Sequence, residues 1–250
     1  MTSSGDPGRS TGAPPAGGPP AERSSDAGPD DVGPDDAASP EAGFSGEGLA
    51  ARSSATPEEV VALYDSWADG YDDDLDRWGY DAPERVASIV VARVGDGREV
   101  LDAGCGTGRA GAALARAGCA PIGGGDVSAA SLDVARRRDV YAELDLLDLD
   151  GALSFADDRF AAAVSVGVFT YVADTAATLR ELCRVVEPGG VVVLTQRDDL
   201  WDERGTGATL AELAEEGTCS VEASDPVPYL PGHPEFGDDI GIRIATLTVR

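Results

Sequence analysis

The chain has 250 residues, 42% hydrophobic and 26% charged, with 46 acidic residues against 19 basic ones, all of them arginine, for a net charge of −27. That length holds one ordinary α/β domain with an appendage, and the charge argues against a nucleic-acid groove or attraction to an anionic membrane. No apolar run reaches membrane-spanning length, no signal pattern opens the chain, and Cys105, Cys119, Cys183 and Cys219 show neither a Cys-x-x-Cys pair nor zinc spacing. The expectation is a cytoplasmic protein with reduced thiols, without metal, and without a nucleic-acid or membrane partner.

Residues 1–55 are rich in Pro, Gly and Asp and almost free of large apolar side chains, so they cannot bury enough surface to offset their ordering entropy. They are expected to form a disordered acidic tail, leaving 56–250 as the folded domain. Thr56-Pro57 suits a helix start, and a short helix is expected over 58–66. Tyr64, Trp67 and Tyr71 recur at helical spacing as an aromatic stripe. Residues 83–94 read as an amphipathic helix with Val86, Ile89, Val90 and Val94 on its buried side. Strands and helices then alternate: strand 99–103, helix 109–117, strand 120–126, helix 129–138 and a strand near 141–147. A strand follows at 160–166, a small-apolar run suited to burial on both faces, then helix 175–186 and, past Pro188-Gly189-Gly190, strand 191–196. A helix near 208–216 and strands at 220–223 and 242–249 complete the pattern. It predicts an α/β, Rossmann-like doubly wound, seven-stranded and mostly parallel sheet with one antiparallel strand near the C-terminus.

The most informative stretch is Val100-Leu-Asp-Ala-Gly-Cys-Gly-Thr-Gly108. A strand end runs into glycines at alternate positions, Gly104, Gly106 and Gly108, which permit positive φ and close approach of a ligand to the backbone. The next helix aims its unpaired N–H groups at the same spot. Asp102 inside the motif suits a ligand with cationic or hydroxyl groups. Gly106-Thr-Gly108-Arg-Ala-Gly111 is also a formal dinucleotide fingerprint, but that version starts directly after its strand, and here Asp102-Ala-Gly-Cys intervenes. Ligands of open α/β sheets lie beyond the carboxyl ends of the strands. Asp126 closes its strand 22 residues after Gly104, where a carboxylate accepts both hydroxyls of a ribose. Asp148-Leu149 is placed to meet an exocyclic amine of adenine, with Asp145 a competitor. Ser165-Val166-Gly167 ends another strand at the same edge. His233, in Pro231-Gly-His-Pro, reads as a surface or turn residue. Tyr71, Tyr171 and Tyr229 read as pocket walls, since an unperturbed phenol ionises only near pH 10.

Val100–Gly108 resembles motif I of class I S-adenosylmethionine-dependent methyltransferases, Asp/Glu-x-Gly-x-Gly-x-Gly, and Arg184-Val-Val-Glu-Pro188-Gly189-Gly190 resembles their post-motif. Tyr64-Asp-Ser-Trp-Ala, Tyr71-Asp, Asp74-Leu75, Gly79-Tyr80 and Ala82-Pro83 are similar to the Williams–Beuren-syndrome-region methyltransferase-like subgroup. The resemblance covers nearly all of 57–250, most strongly 64–83, 100–128 and 184–196. It implies S-adenosyl-L-methionine as cofactor, with Gly104, Gly106 and Gly108 around its methionyl part and Cys105 and Val166 beside them. It implies that Asp102 supports the loop and the amino group, that Asp126 takes the ribose and Val127 packs on the adenine, that Asp148-Leu149 meets the adenine edge, and that Tyr71 helps roof the site. Three positions depart from the pattern: Ala161 replaces the usual acid, Tyr171 a frequent histidine, and Gly125 an apolar residue. The implied function is direct in-line methyl transfer to a small-molecule acceptor by a monomer or homodimer, needing neither covalent nucleophile nor metal. The alternatives are a catalytically idle S-adenosylmethionine-binding module and an NAD(P)-dependent oxidoreductase.

Of the 46 acids, 37 lie from Thr56 onward against 16 arginines, a net of −21 for the domain. Self-repulsion on that scale opposes compaction. Salt shortens the screening length from about 10 Å at 0.1 M to about 3 Å at 1 M. The composition reads as a halophile's acidic proteome, with a GC-rich genome as the rival explanation. Removing 1–55 is expected to leave melting temperature and cofactor affinity unchanged. The remaining domain is expected to gain melting temperature steeply as potassium chloride rises into the molar range. A flat profile would leave genomic composition as the explanation.

Overall fold

The computed structural model describes residues 71–250 except Glu235 and Asp238, and at Tyr71 the backbone only. The expected tail, the helix at 58–66 and the aromatics Tyr64 and Trp67 lie outside the described residues. In chain order the elements are α1 (Tyr71–Arg77), α2 (Ala82–Val94), β1 (Val100–Ala103), α3 (Arg109–Arg116), β2 (Ile122–Asp126), α4 (Ala129–Arg137), β3 (Glu143–Leu146), β4 (Phe160–Ser165), α5 (Thr175–Val185), β5 (Val186–Arg197), α6 (Asp198–Glu203), α7 (Thr206–Glu215), β6 (Cys219–Ala223), β7 (Val227–Pro228) and β8 (Gly241–Val249).

The small-apolar run of β4 is buried at every position, as its composition requires for a strand covered on both faces. Around it the sheet runs β3-β2-β1-β4-β5-β8-β6, with β7 beside β8. The first five of these strands pair in parallel. β8 runs antiparallel to β5, β6 and β7, the single reversed strand expected near the C-terminus. The count is eight rather than seven because the two-residue β7 is too short for any periodicity to register.

One apolar layer joins Val86, Val90, Ala113 and Leu114 of α2 and α3 to Val164 and Val193 of the sheet. The opposite layer joins Leu179, Leu182, Leu210 and Leu213 of α5 and α7 to Leu101, Ala163 and Leu194. Successive strands move outward in one direction from β1 and in the other from β4, so the chain order reverses between these two neighbours. That switch point opens a crevice at the carboxyl ends.

Two local departures have physical causes. Pro188-Gly189-Gly190 reads as a turn, yet β5 already begins at Val186 and passes through it, with the β4–β5 register shifting between Phe160 and Ala162. Gly190 makes this passage possible, since a Cβ there would lie 2.5 Å from the Ala161 carbonyl oxygen. The six-residue α6, Asp-Asp-Leu-Trp-Asp-Glu, is too short to show an amphipathic period and was not anticipated. Arg184, in the post-motif stretch, donates to the carbonyls of Leu153 and Phe155 and to Glu181 and Asp157. It thereby fastens the segment before β4 to α5.

Candidate active site

β1 ends in a backbone that only glycine adopts without strain: φ is +78° at Gly104, +52° at Gly106 and +87° at Gly108. The N–H groups of Gly104 and Cys105 both donate to the Gly125 carbonyl, at 2.8 and 2.9 Å, which pins the loop to the end of β2. Asp126 completes the attachment, accepting from the Gly106 N–H at 2.8 Å and from the Ser128 N–H at 2.9 Å. A cleft with about 790 Å³ of empty space, open to solvent, lies above this loop at the switch point.

The structure brings Gly104, Cys105, Gly106, Asp126, Val127, Val166 and Tyr171 together on that cleft. Val127, 43% exposed, stands beside Asp126 with its apolar surface uncovered. Leu146, the cross-strand partner of Asp126, is 67% exposed at the same edge. Of the other expected residues, the Tyr71 side chain lies outside the described residues, and the rest fall elsewhere. Gly108 caps α3 in the left-handed conformation beneath the loop. Asp148 is exposed and accepts from the Asp150 N–H. Leu149 is buried in the α5 layer, where the Thr178 hydroxyl donates to its carbonyl. Neither these two nor the exposed Asp145 lines the cleft. Tyr229 packs edge-on against Tyr80, 5.7 Å between centroids, behind the cleft wall. Burial pushes its phenol up, so it stays protonated.

Asp102 also lies off the cleft, fully buried beneath the loop, where the Tyr141 hydroxyl donates to its Oδ2 at 2.7 Å. Burial pushes its carboxyl up to about 7; the Tyr141 and Gly111 hydrogen bonds pull the other way, and the Asp126 charge adds to the rise. The Cys105 thiol is likewise pushed up by burial and by the Asp102 and Asp126 charges. It is a protonated wall, not a nucleophile.

His233 corrects the expectation of a surface residue. It is in a turn, its N–H donating to the Leu230 carbonyl, but it is 3% exposed. It stacks on Phe236 and meets Trp78 edge-on, centroids 4.6 and 4.5 Å away. Its Nδ1 accepts from the Phe236 N–H. The Pro-Gly-His-Pro composition reports the turn correctly and says nothing of the aromatics that cover it.

Sequence reasoning missed the walls Leu75 of α1, Pro83 of α2, Thr107 and Arg109 where the loop enters α3, and Val168 after β4. Asp72 holds α1 over the loop, accepting from the Thr107 hydroxyl at 2.8 Å and pairing with Arg138. Arg109 donates to the Asp72 carbonyl and, at 2.6 Å, to Asp76. The spacing of Asp72, Asp76 and Leu75 on one short acidic helix was a usable signal, since residues three and four apart share a face.

Residues 101–194 match the family model described as a methyltransferase domain. Methyltransferase GfsG of Streptomyces halstedii is 31% identical over 176 residues, 67% of this chain and 62% of that protein. The demethylmenaquinone methyltransferase of Corynebacterium kroppenstedtii is 38% identical over 138 residues, 54% of this chain and 58% of that protein. The matched part of the chain thus spans about three fifths of the length of these relatives. Among solved structures, a TehB-like S-adenosylmethionine-dependent methyltransferase from Corynebacterium glutamicum superposes with a TM-score of 0.55 at 25% identity, covering 76% of this chain and 99% of that one. The [4+2]-cyclase SpnF shares the fold, with a TM-score of 0.58 at 20% identity over 78% of this chain and 97% of that one.

Proposed function

We propose that this chain is an S-adenosylmethionine-dependent methyltransferase acting on an uncharged, largely apolar small molecule. The observation that carries the reading is the meeting of the Gly104–Gly108 loop, the Asp126 carboxylate and the exposed Val127 on one cleft at the switch point. The residues fit the cofactor. A Cβ at Gly106 would meet nothing within 4 Å, so the loop backbone faces open space that a ligand can enter. Asp126 sits at the mouth of β2 on the cleft lining, where a carboxylate is the acceptor that ribose hydroxyls require. Val127, expected from the resemblance to pack on the adenine, offers apolar surface for it together with Leu146, whereas Asp148-Leu149, expected at the adenine edge, lies off the cleft.

When bound, the cofactor supplies a methyl group already electrophilic on its sulfonium. What the chain contributes is position and exclusion of water. Leu75, Tyr80, Pro83, Val168 and Tyr171 form apolar walls for the acceptor. Arg109, the one cation of the lining among the described residues, is balanced by Asp72 and Asp76, and the lining's carboxylate is Asp126, so the cleft offers no uncompensated cation to an anionic acceptor. The acidic surface supports a partner list without nucleic acid or membrane, and among the described residues no helix is long and apolar enough to cross a bilayer. The demethylmenaquinone named for one relative supports a small-molecule acceptor. The Gly79-Tyr80 and Ala82-Pro83 pairs, which carry Tyr80 and Pro83 to the cleft, support the Williams–Beuren-like subgroup.

A binding module without turnover is the second reading, since fold alone does not fix a reaction. Calorimetry is expected to show S-adenosylmethionine binding in the micromolar range, about −7 to −8 kcal/mol. Apolar hydroxylated acceptors are expected to elicit S-adenosylhomocysteine release. Binding without release from any acceptor selects the module, and tight NAD(H) binding with no response to S-adenosylmethionine overturns both readings.

A further inference from the structure

Tyr141 precedes β3, and its ring occupies a slot left by Gly108 and Gly111 at the start of α3 and by Gly124 of β2. A Cβ at Gly108 would lie 3.1 Å from Cε2, one at Gly111 2.2 Å from the hydroxyl, and one at Gly124 2.7 Å from Cε1. The slot delivers the hydroxyl onto Asp102 Oδ2 at 2.7 Å. Asp102 is fully buried two residues ahead of Gly104, and its Oδ1 accepts no hydrogen bond among the described residues. A buried carboxylate oxygen left without a donor is costly, so its retention under a ligand loop calls for a reason.

We propose that Tyr141 is a positioning residue for cofactor binding, whose hydroxyl holds Asp102 as an anion beneath the Gly104–Gly108 loop, where that charge attracts the cationic end of the methionyl group. This rests on the S-adenosylmethionine reading above. The groups facing Asp102 set its balance. The Gly111 amide of α3 favours the anion, Asp126 of β2 opposes it, and Cys105 of the loop is protonated and neutral. Arg136 of α4 acts on Cys105, and no arginine pairs with Asp102 among the described residues. The Tyr141 phenol, pushed up by burial and by Asp102 itself, remains a donor throughout the working range. Burial leaves the Asp102 carboxyl ionising near 7 with this donor in place, so its removal moves the ionisation upward.

The test is calorimetric binding of S-adenosylhomocysteine across pH, comparing variants with the same ligand so that the ligand's own titration cancels. In the unsubstituted protein, affinity is expected to fall as pH drops through about 7. Tyr141→Phe keeps the ring in its slot and is expected to move that fall about one pH unit higher, with the curves converging at alkaline pH. Asp102→Asn is expected to flatten the dependence, and adding Tyr141→Phe to it is expected to change nothing further. The infrared carboxylic-acid band that Asp102→Asn removes gives the same midpoint directly in the unsubstituted protein. That measurement holds even if a Tyr141 variant fails to fold. A midpoint for this band in the ordinary carboxylate range, or a Tyr141→Phe protein with lower melting temperature but an unmoved binding midpoint, overturns the proposal and leaves Tyr141 a packing residue. Failure of the unsubstituted protein to bind the ligand at any pH overturns the cofactor reading as well.

Discussion

Gly104→Ala is expected to weaken cofactor binding by at least about a hundredfold. At φ +78° a side chain costs roughly 1–2 kcal/mol. The added Cβ would also stand 2.4 Å from Val168 Cγ2 and 3.0 Å from Cγ1, well inside the 3.5–4.0 Å or so of a favourable carbon contact. Either the loop or the Val168 segment must move. The loop cannot move without lengthening the paired bonds from Gly104 and Cys105 to the Gly125 carbonyl. A displacement of about 1 Å at a binding site costs on the order of 10² in rate or affinity. Gly104→Ala with Val168→Ala removes the two Cγ contacts and leaves the backbone strain, so it is expected to recover most of the binding. Isothermal titration of S-adenosylmethionine against the single and double variants checks this. A single variant that binds like the parent means that this loop is not the cradle.

Asp126→Ala is expected to cost affinity and stability together, in separable amounts. Two charge-assisted bonds to ribose hydroxyls are worth roughly 1.5–3 kcal/mol each, less what water recovers, so affinity should fall at least tenfold. The same carboxylate accepts the amides of Gly106 and Ser128. Its removal therefore also frees the loop from β2 and lowers the melting temperature. Asp126→Asn keeps one acceptor oxygen but turns an amide NH2 toward a backbone N–H, so it is expected to lose affinity although it is nearly isosteric. Unchanged affinity in a folded Asp126→Ala protein moves the ribose contact to another residue.

The frame that holds these residues was legible because its signals are local. Alternating apolar runs placed β1, β2, β4 and β8 within two residues of where they lie, and the Gly-rich nonapeptide located the loop. The site was only half legible. Asp126, Val127 and Val166 follow from strand ends and Tyr171 from the resemblance, and all four reach the cleft. Asp148 and Leu149 do not, because the chain past Leu146 turns down into the α5 layer, a direction set by Leu149 packing and the Thr178 bond rather than by spacing. Tyr141 gave no local sign of its place. Its environment is assembled from Gly108 and Gly111 at the start of α3 and Gly124 of β2, which are remote from residue 141 in sequence and meet it only in the folded sheet. His233 was legible as a turn residue but its burial was not, because Trp78, which meets it edge-on, comes from a distant segment.

The near absence of side chains along Gly123-Gly124-Gly125 bears on how such a chain diverges. A methyl at Gly124 collides with Tyr141 and one at Gly125 with Leu147 Cβ, 2.5 Å away. These positions therefore cannot drift independently. A lineage acquiring alanine at 111 or 124 must first shrink residue 141, and one keeping the tyrosine must keep both glycines. The expected evolutionary trace is covariation among three segments that share no contact in sequence, with the small residues changing only after the ring has gone. The path between the two states then runs through a smaller residue at 141, because the ring and the added methyls exclude each other.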